Sequence, residues 1–282
     1  MGKKSQYDIE EWIRNTSGDF HLKDILTQLG LDPEDYGRLR EAVSTACKRG
    51  IAKSLGRRDG WYRAVDKEYD ILNFKGKNPS GFFDIKYPFA LEEYVKTPRR
   101  SVVVVGGSVD AGKSAFAHNL IALNYGKYKI ILFDSENSDA EMEERLSKHA
   151  GYMDWADDLV RSRSEDFEDV IDPDALNIID YLEAPENLWE IRRPLRRIRD
   201  KLGQGIAVIM LQKPEGRDLP YGKDWAKQLA RVVLAMEGGV IKILKGKSWA
   251  QKDVNPVGLR WSFKLVGGEK FVNPMPLGKE EC

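Results

Sequence analysis

The chain has 282 residues, 45 Lys+Arg against 45 Asp+Glu, and 41% hydrophobic residues. That length supports a sizeable buried core and more than one domain, and the balanced charge leaves any attraction to a polyanion to local patches. The two cysteines, Cys47 and Cys282, provide neither a disulfide framework nor a cysteine metal pattern.

The N-terminal stretch MGKKSQYDIEEW lacks the apolar run of a signal peptide. No segment approaches the roughly 18 apolar residues of a membrane span. The expectation is a soluble protein with no membrane partner, cytoplasmic or nucleoid-associated. Ile9, Trp12 and Ile13 recur at helical spacing. Residues 21–29, HLKDILTQL, read as a second amphipathic helix, and Gly30 stands where a helix stop belongs. Pro33 opens a third helix with Leu39, Val43 and Cys47 on its inner side. Residues 51–55 and 61–65 flank GRRDG and read as a hairpin. Three helices and a hairpin within residues 1–66 resemble a winged-helix domain. The resemblance implies a third helix for the major groove and a hairpin wing. Residues 36–63 hold eight basic side chains and two acidic ones. Arg49, Lys53, Arg57 and Arg58 are the candidate nucleic-acid contacts. Winged helices also serve as protein-interaction modules, so both readings stand. Residues 67–83, containing KGKNPSGFF, read as a linker to a second domain over 84–282.

In that second domain, residues 101–105 form a continuous β-branched run, as a buried parallel strand requires. Gly107, Ser108, Val109, Asp110, Ala111, Gly112, Lys113 and Ser114 then fit G-x-x-x-x-G-K-[ST], and residues 115–123 read as a helix. Strand, glycine loop and helix are the context that gives this motif its meaning. Backbone N–H groups from Gly107 through Ala115 are placed to cradle the phosphates of ATP. Lys113 is expected to reach the β- and γ-phosphates, and Ser114 to ligate Mg²⁺.

Residues 129–133 form a short apolar strand followed by DSENS. Ser138 and Glu141 make a capping box for the next helix. Residues 176–180, LNIID, are a strand with Asp180 at its C-terminal end, a candidate to hold Mg²⁺ through water. Asp172 and Asp174 precede that apolar run and belong at its other end. Residues 206–211 are a further buried strand ending at Gln212. The segment 213–223 is rich in Gly and Pro and holds Lys213, Arg217, Tyr221 and Lys223. A helix at 224–229 and strands at 231–235, 240–244 and 259–265 follow, with Lys245 and Lys247 after the second of these.

Taken in order, residues 85–272 resemble the RecA-like P-loop ATPases, among them the DnaB-like helicases and KaiC. The resemblance implies an α/β fold, a P-loop NTPase core with a mostly parallel sheet. It makes Glu136 the base that activates water, with Asp134 as the alternative. It makes Gln212 the sensor of the γ-phosphate, and segment 213–223 a DNA-facing loop with Arg217 and Lys223 as contacts. Lys245 and Lys247 correspond to a pair that reaches a neighbouring subunit's phosphate. Lysine at 247 departs from the family's arginine and supplies charge without the planar fork. The implied function is an ATP-binding, ATP-hydrolysing protein acting on single- or double-stranded DNA. It would be helicase-like or recombinase-like, serve replication or repair or a mobile element, and assemble as a ring or filament with replication or repair proteins as partners. The alternative is an ATP-switched winged-helix DNA-binding regulator, or a loader or adaptor, with little turnover.

Two features lie outside that pattern. The helix around 192–201 is crowded with arginine, and residues 139–174 hold thirteen acidic residues against four Lys/Arg. The two faces are candidates to meet between subunits, or to be solvated separately. His21, His118 and His149 form no cluster along the chain, so no metal site is assigned to histidine.

Overall fold

The structure, a computed structural model, describes residues 4–16, 18–56, 59–67, 81–183, 191–213 and 224–279, with only the backbone described for 224–226. Arg57, Arg58, Arg217, Tyr221, Lys223 and most of the expected linker lie outside the described residues. The chain divides into two compact units, Met1–Gly76 and Lys77–Cys282.

In the first unit, α1 (Gln6–Asn15), α2 (Leu22–Leu29) and α3 (Tyr36–Lys48) pack with β1 (Asp19–His21), β2 (Ala52–Ser54) and β3 (Trp61–Ala64). Reciprocal caps start the first two helices. The Ser5 backbone N–H donates to Asp8 at 2.6 Å, and the His21 backbone N–H donates to Asp24 at 2.7 Å. Gly30 ends α2 in the left-handed conformation. His21 is thus the cap of the second helix and not its first residue. The hairpin β2–β3 is antiparallel, and β1 pairs with the outer side of β3. That third strand was not legible because it has only three residues. Ile13, Phe20, Leu22, Ile25, Leu39, Val43 and Ala46 fill the core.

The second unit opens with β4 (Phe82–Phe83) and β5 (Val95–Pro98), which join β13 (Ser248–Trp249) in a small sheet. Phe82 and Phe83, at the end of the expected linker, are therefore part of this unit's folded structure. The large sheet uses β6 (Ser101–Gly107), β7 (Ile130–Asp134), β8 (Val160–Ser162), β9 (Leu176–Asp180), β10 (Ile206–Gln212), β11 (Val232–Glu237), β12 (Val240–Gly246), β14 (Leu259–Val266) and β15 (Lys270–Lys279). Its order is β15-β14-β12-β11-β6-β10-β9-β7-β8. The strands from β11 to β8 are parallel, and β12, β14 and β15 extend the sheet as an antiparallel meander. The glycine-loop strand is central, with two strands between it and the strand that follows its helix. This is a RecA-like α/β core.

Alternation along β6 decides which face each valine serves. Val103 and Val105 join α4 (Lys113–Asn124) in one core with Phe116, Leu120 and Ile121. Val102 and Val104 join α6 (Arg192–Lys201) in the other, with Leu195 and Ile198. The remaining helices are α5 (Asp139–Leu146) and α7 (Asp224–Leu229). Asn124 closes α4 with a clip. Its side chain accepts from the Lys86 backbone N–H at 2.9 Å and donates to the Lys86 carbonyl at 2.7 Å. The last strand, β15, contains Pro274 and Pro276 and is exposed over its outer half. Among the described residues, no helix is long and apolar enough to cross a membrane.

Leu120 is fully buried on α4, whereas Leu123 is 49% exposed. Leu120→Ala is expected to cost about 2–5 kcal/mol in denaturant unfolding. Leu123→Ala is expected to stay within about 0.5 kcal/mol.

Candidate nucleotide site

Parallel pairing aligns the C-terminal strand ends in a row. Gly107 sits opposite Gln212 on one side and Met236 on the other, and Asp134 sits opposite Asp180. A cavity of about 510 Å³ opens at that edge. It is lined by the loop from Val109 to Ala115 and by Glu136, Asp180 and Gln212. The loop residues, the two candidate metal-holding residues Ser114 and Asp180, the candidate base and the candidate sensor, read from four separate stretches, share one cavity.

The loop's shape depends on its glycines and its lysine. Gly112 leads into α4 at φ +89°. A Cβ on Gly107 would lie 2.8 Å from Cγ of Lys113, so only glycine lets the lysine fold back over the loop. The Lys113 ammonium donates to the carbonyls of Ser108 at 2.8 Å and Gly107 at 3.2 Å. Burial lowers its pKa, and the negative charges of Asp180, Glu136 and Asp110 oppose that shift.

Asp180 is the buried carboxylate of the site. Burial raises its pKa; a hydrogen bond from Ser114 and the charges of His118 and Lys113 work the other way. Its Oδ2 is buried with no hydrogen-bond partner. An oxygen left without a partner beside the first serine of the helix suits a hard divalent cation. Ser114 and Asp180 would therefore hold Mg²⁺, which would supply positive charge beside the phosphates.

Asp134 and Glu136 separate by geometry. Asp134 is buried and turned into its own loop, where it accepts from the backbone N–H groups of Glu136 at 3.0 Å and Asn137 at 2.7 Å and from the Asn137 side chain at 2.8 Å. That turn pushes Glu136 out into the cavity, exposed. Asp172 accepts from Lys129 at 2.9 Å and Asp174 from the Gln204 backbone at 2.7 Å, both at the N-terminal end of β9.

Other expected residues sit elsewhere. Lys213 was expected in the outward-facing loop, but its backbone N–H extends the β10–β6 ladder to the Gly107 carbonyl at 3.0 Å. Its buried ammonium pairs with Glu237 at 2.6 Å. A charge excluded from water is held there by a carboxylate. Lys245 and Lys247 lie at the opposite end of the sheet from this chain's own cavity. There, Arg100, Arg192, Arg199 and Arg231 join them around a second cavity of about 530 Å³. The Lys245 ammonium donates to the carbonyls of Lys227, Gln228 and Ala230 and so caps α7, while Lys247 is exposed. In the first unit, Arg49 pairs with Glu10 at 2.8 Å, and Lys53 is exposed on β2. The arginine helix meets part of the acidic segment within the chain, through Arg197 and Glu168 at 3.0 Å.

Sequence reasoning missed Arg145, Tyr181, Leu265 and Gly268, which also line this cavity. It also missed that His118 and His149 converge, and the expectation of no histidine cluster is corrected here. Both rings contact Glu269, His118 at 2.8 Å and His149 at 3.3 Å. Burial, the largest single influence, would raise the Glu269 pKa, but the hydrogen bonds and the charges of the two histidines together outweigh it and hold the carboxyl at about 2. Nothing in the linear order foretold this, because Glu269 is 120 residues or more from either ring.

No family model matches the chain, and no curated protein matches it. Among solved structures it is similar to one described as an ATPase domain, with 17% identity and a TM-score of 0.48, over 69% of this chain and 90% of that one. The strand order, with the glycine loop at the centre of a mostly parallel sheet, gives the chain a RecA-like α/β fold.

Gly107→Ala is expected to displace Lys113 and weaken binding of a fluorescent ADP analogue by about tenfold or more, the worth of one charge-assisted hydrogen bond. Circular dichroism of the same variant should be unchanged.

Proposed function

We propose that the chain is a Mg²⁺-dependent ATPase that acts on DNA, with turnover at the cavity on the C-terminal strand ends. The observation that carries this reading is the meeting of Lys113, Ser114, Glu136, Asp180 and Gln212 on one cavity. Lys113 and the loop N–H groups hold the phosphates and offset the charge that builds up during transfer. Glu136 accepts a proton from the attacking water, for which its exposed carboxylate is free while Asp134 is committed to its turn. Gln212 ends the strand beside the loop and reports the γ-phosphate to segment 213–223.

The DNA role rests on the first unit. Its three helices and β-hairpin support a winged-helix reading, with Lys53 on the hairpin available to a phosphate backbone. Arg217 and Lys223 would contact DNA from segment 213–223, and Arg57 and Arg58 from the wing. Lys247 would act on the nucleotide of a neighbouring copy in a ring or filament, in helicase-like or recombinase-like work. The commitment of Lys245 to a helix cap favours a second reading, an ATP-switched DNA-binding regulator or loader with slow turnover.

Steady-state ATP hydrolysis with and without single-stranded DNA tests this, with Lys113→Ala as the blank. Glu136→Gln is expected to lower kcat by about 10²–10⁴ while leaving nucleotide affinity intact; unchanged turnover would remove Glu136 as the base. Stimulation by DNA supports the motor reading, and slow turnover indifferent to DNA supports the switch. Lys245→Ala is expected to destabilise the fold by about 1 kcal/mol through the lost helix cap. Lys247→Ala is expected to leave stability alone and to reduce turnover only where the chain self-associates, a split that melting curves and concentration-dependent kinetics would report.

A further inference from the structure

Three elements deliver the histidine–glutamate cluster. His118 lies on α4 one turn beyond Ser114, His149 follows α5, and Glu269 sits in the turn joining β14 to β15. Glu269 and His118 are 1% and 0% exposed, and the His149 side chain is 6% exposed. One ligand atom from each lies within 4.8 Å of the other two. Both imidazoles address the same oxygen, Glu269 Oε2. The other oxygen, Oε1, is buried with no hydrogen bond, as is His118 Nε2. A buried network that crowds one lone-pair site and leaves another empty is only half satisfied.

We propose that His118, His149 and Glu269 bind a divalent transition-metal ion of the zinc class, at a site separate from the Mg²⁺ position of Ser114 and Asp180. Two imidazoles and one carboxylate are a nitrogen-rich set that suits zinc or cobalt and not magnesium, which prefers oxygen alone. Ligand bonds of about 2.0–2.1 Å at a tetrahedral centre set the ligands about 3.3 Å apart. The His149–Glu269 separation is 3.3 Å, and the His118–Glu269 separation of 2.8 Å needs only a small side-chain rotation to match. The turn is held without the ion, since Asn119 donates to the Glu269 carbonyl at 2.7 Å and Lys148 to the Gly267 carbonyl at 3.3 Å. Arg145 approaches Oε1 at 3.7 Å, orienting the carboxylate while its charge tempers the affinity for a cation. Glu269 Oε1 or a water completes the fourth position.

The ion would clip the β14–β15 turn and the end of α5 onto α4. Arg145, Leu265 and Gly268 from those elements line the nucleotide cavity. Filling the metal site would therefore stiffen one wall of that cavity.

The test is titration of the full-length, chelator-treated, nucleotide-free protein with Co²⁺ and then Zn²⁺. A single equivalent of Co²⁺ should give the intense visible absorption of a tetrahedral site. Zn²⁺ should displace it and raise the melting temperature. Ser114→Ala should keep the signal, separating it from the Mg²⁺ position. His149→Ala should weaken Co²⁺ binding by more than the roughly tenfold that losing a supporting partner causes. Only the weak absorption of octahedral Co²⁺ in the wild type would overturn the proposal, as would a signal retained in a folded His149→Ala. If that variant misfolds, the wild-type spectrum and the Zn²⁺ competition decide alone.

Discussion

Register between parallel strands is the constraint on which the rest of this chain depends. Parallel strands end on the same side of a sheet, so a fixed register turns sequence-distant strand ends into neighbours. Gly107 opposite Gln212, and Asp134 opposite Asp180, are two results of that single rule. The register is itself held by burial. Slipping β6 by one residue would exchange Val102 and Val104 with Val103 and Val105 between two separate cores. Packing on both faces of the sheet therefore keeps the C-terminal strand ends around the cavity in line.

Short polar side chains then convert that edge into chemistry. Asp134 spends its acceptors on the turn that follows it, and the consequence is a free Glu136. Asp180 is kept dry with one oxygen unused, beside Ser114 in the first turn of α4. Two carboxylates at adjacent strand ends thus sit in different surroundings, one held by the donors of its own turn and the other left with an oxygen unpartnered.

What the sequence made legible was whatever repeats locally or sits in a fixed spacing. The valine run, the glycine loop, the strand ending in Asp180 and the strand ending in Gln212 all carry their signal within a few residues. Glu136 and Asp134 stood as rivals in the sequence, and the turn geometry shows which of the two faces the cavity. Arg145, at the cavity wall, and the buried Glu269 beside it were not legible, since they meet only through a pairing across the fold. The same holds for His118 and His149, which meet only through a third residue far along the chain. Lys245 misled in a different way. Its spacing to Lys247 matched a family pattern, yet its ammonium is taken up by the carbonyls at the end of α7, a demand that no linear motif expresses. The strands β1 and β15 escaped because one is too short and the other carries prolines.

Those prolines bear on how the large sheet ends. A proline in a paired strand is tolerated where its missing N–H would face away from the neighbour. Pro274 and Pro276 leave β15, the last strand at this border, two N–H donors short. At the far margin β8 offers only Val160–Ser162. One border of the sheet is chemically blunted and the other is too brief to template a partner. Among the described residues, the large sheet therefore ends on both sides in strands poorly suited to pair with another chain, and its ladder closes within one subunit.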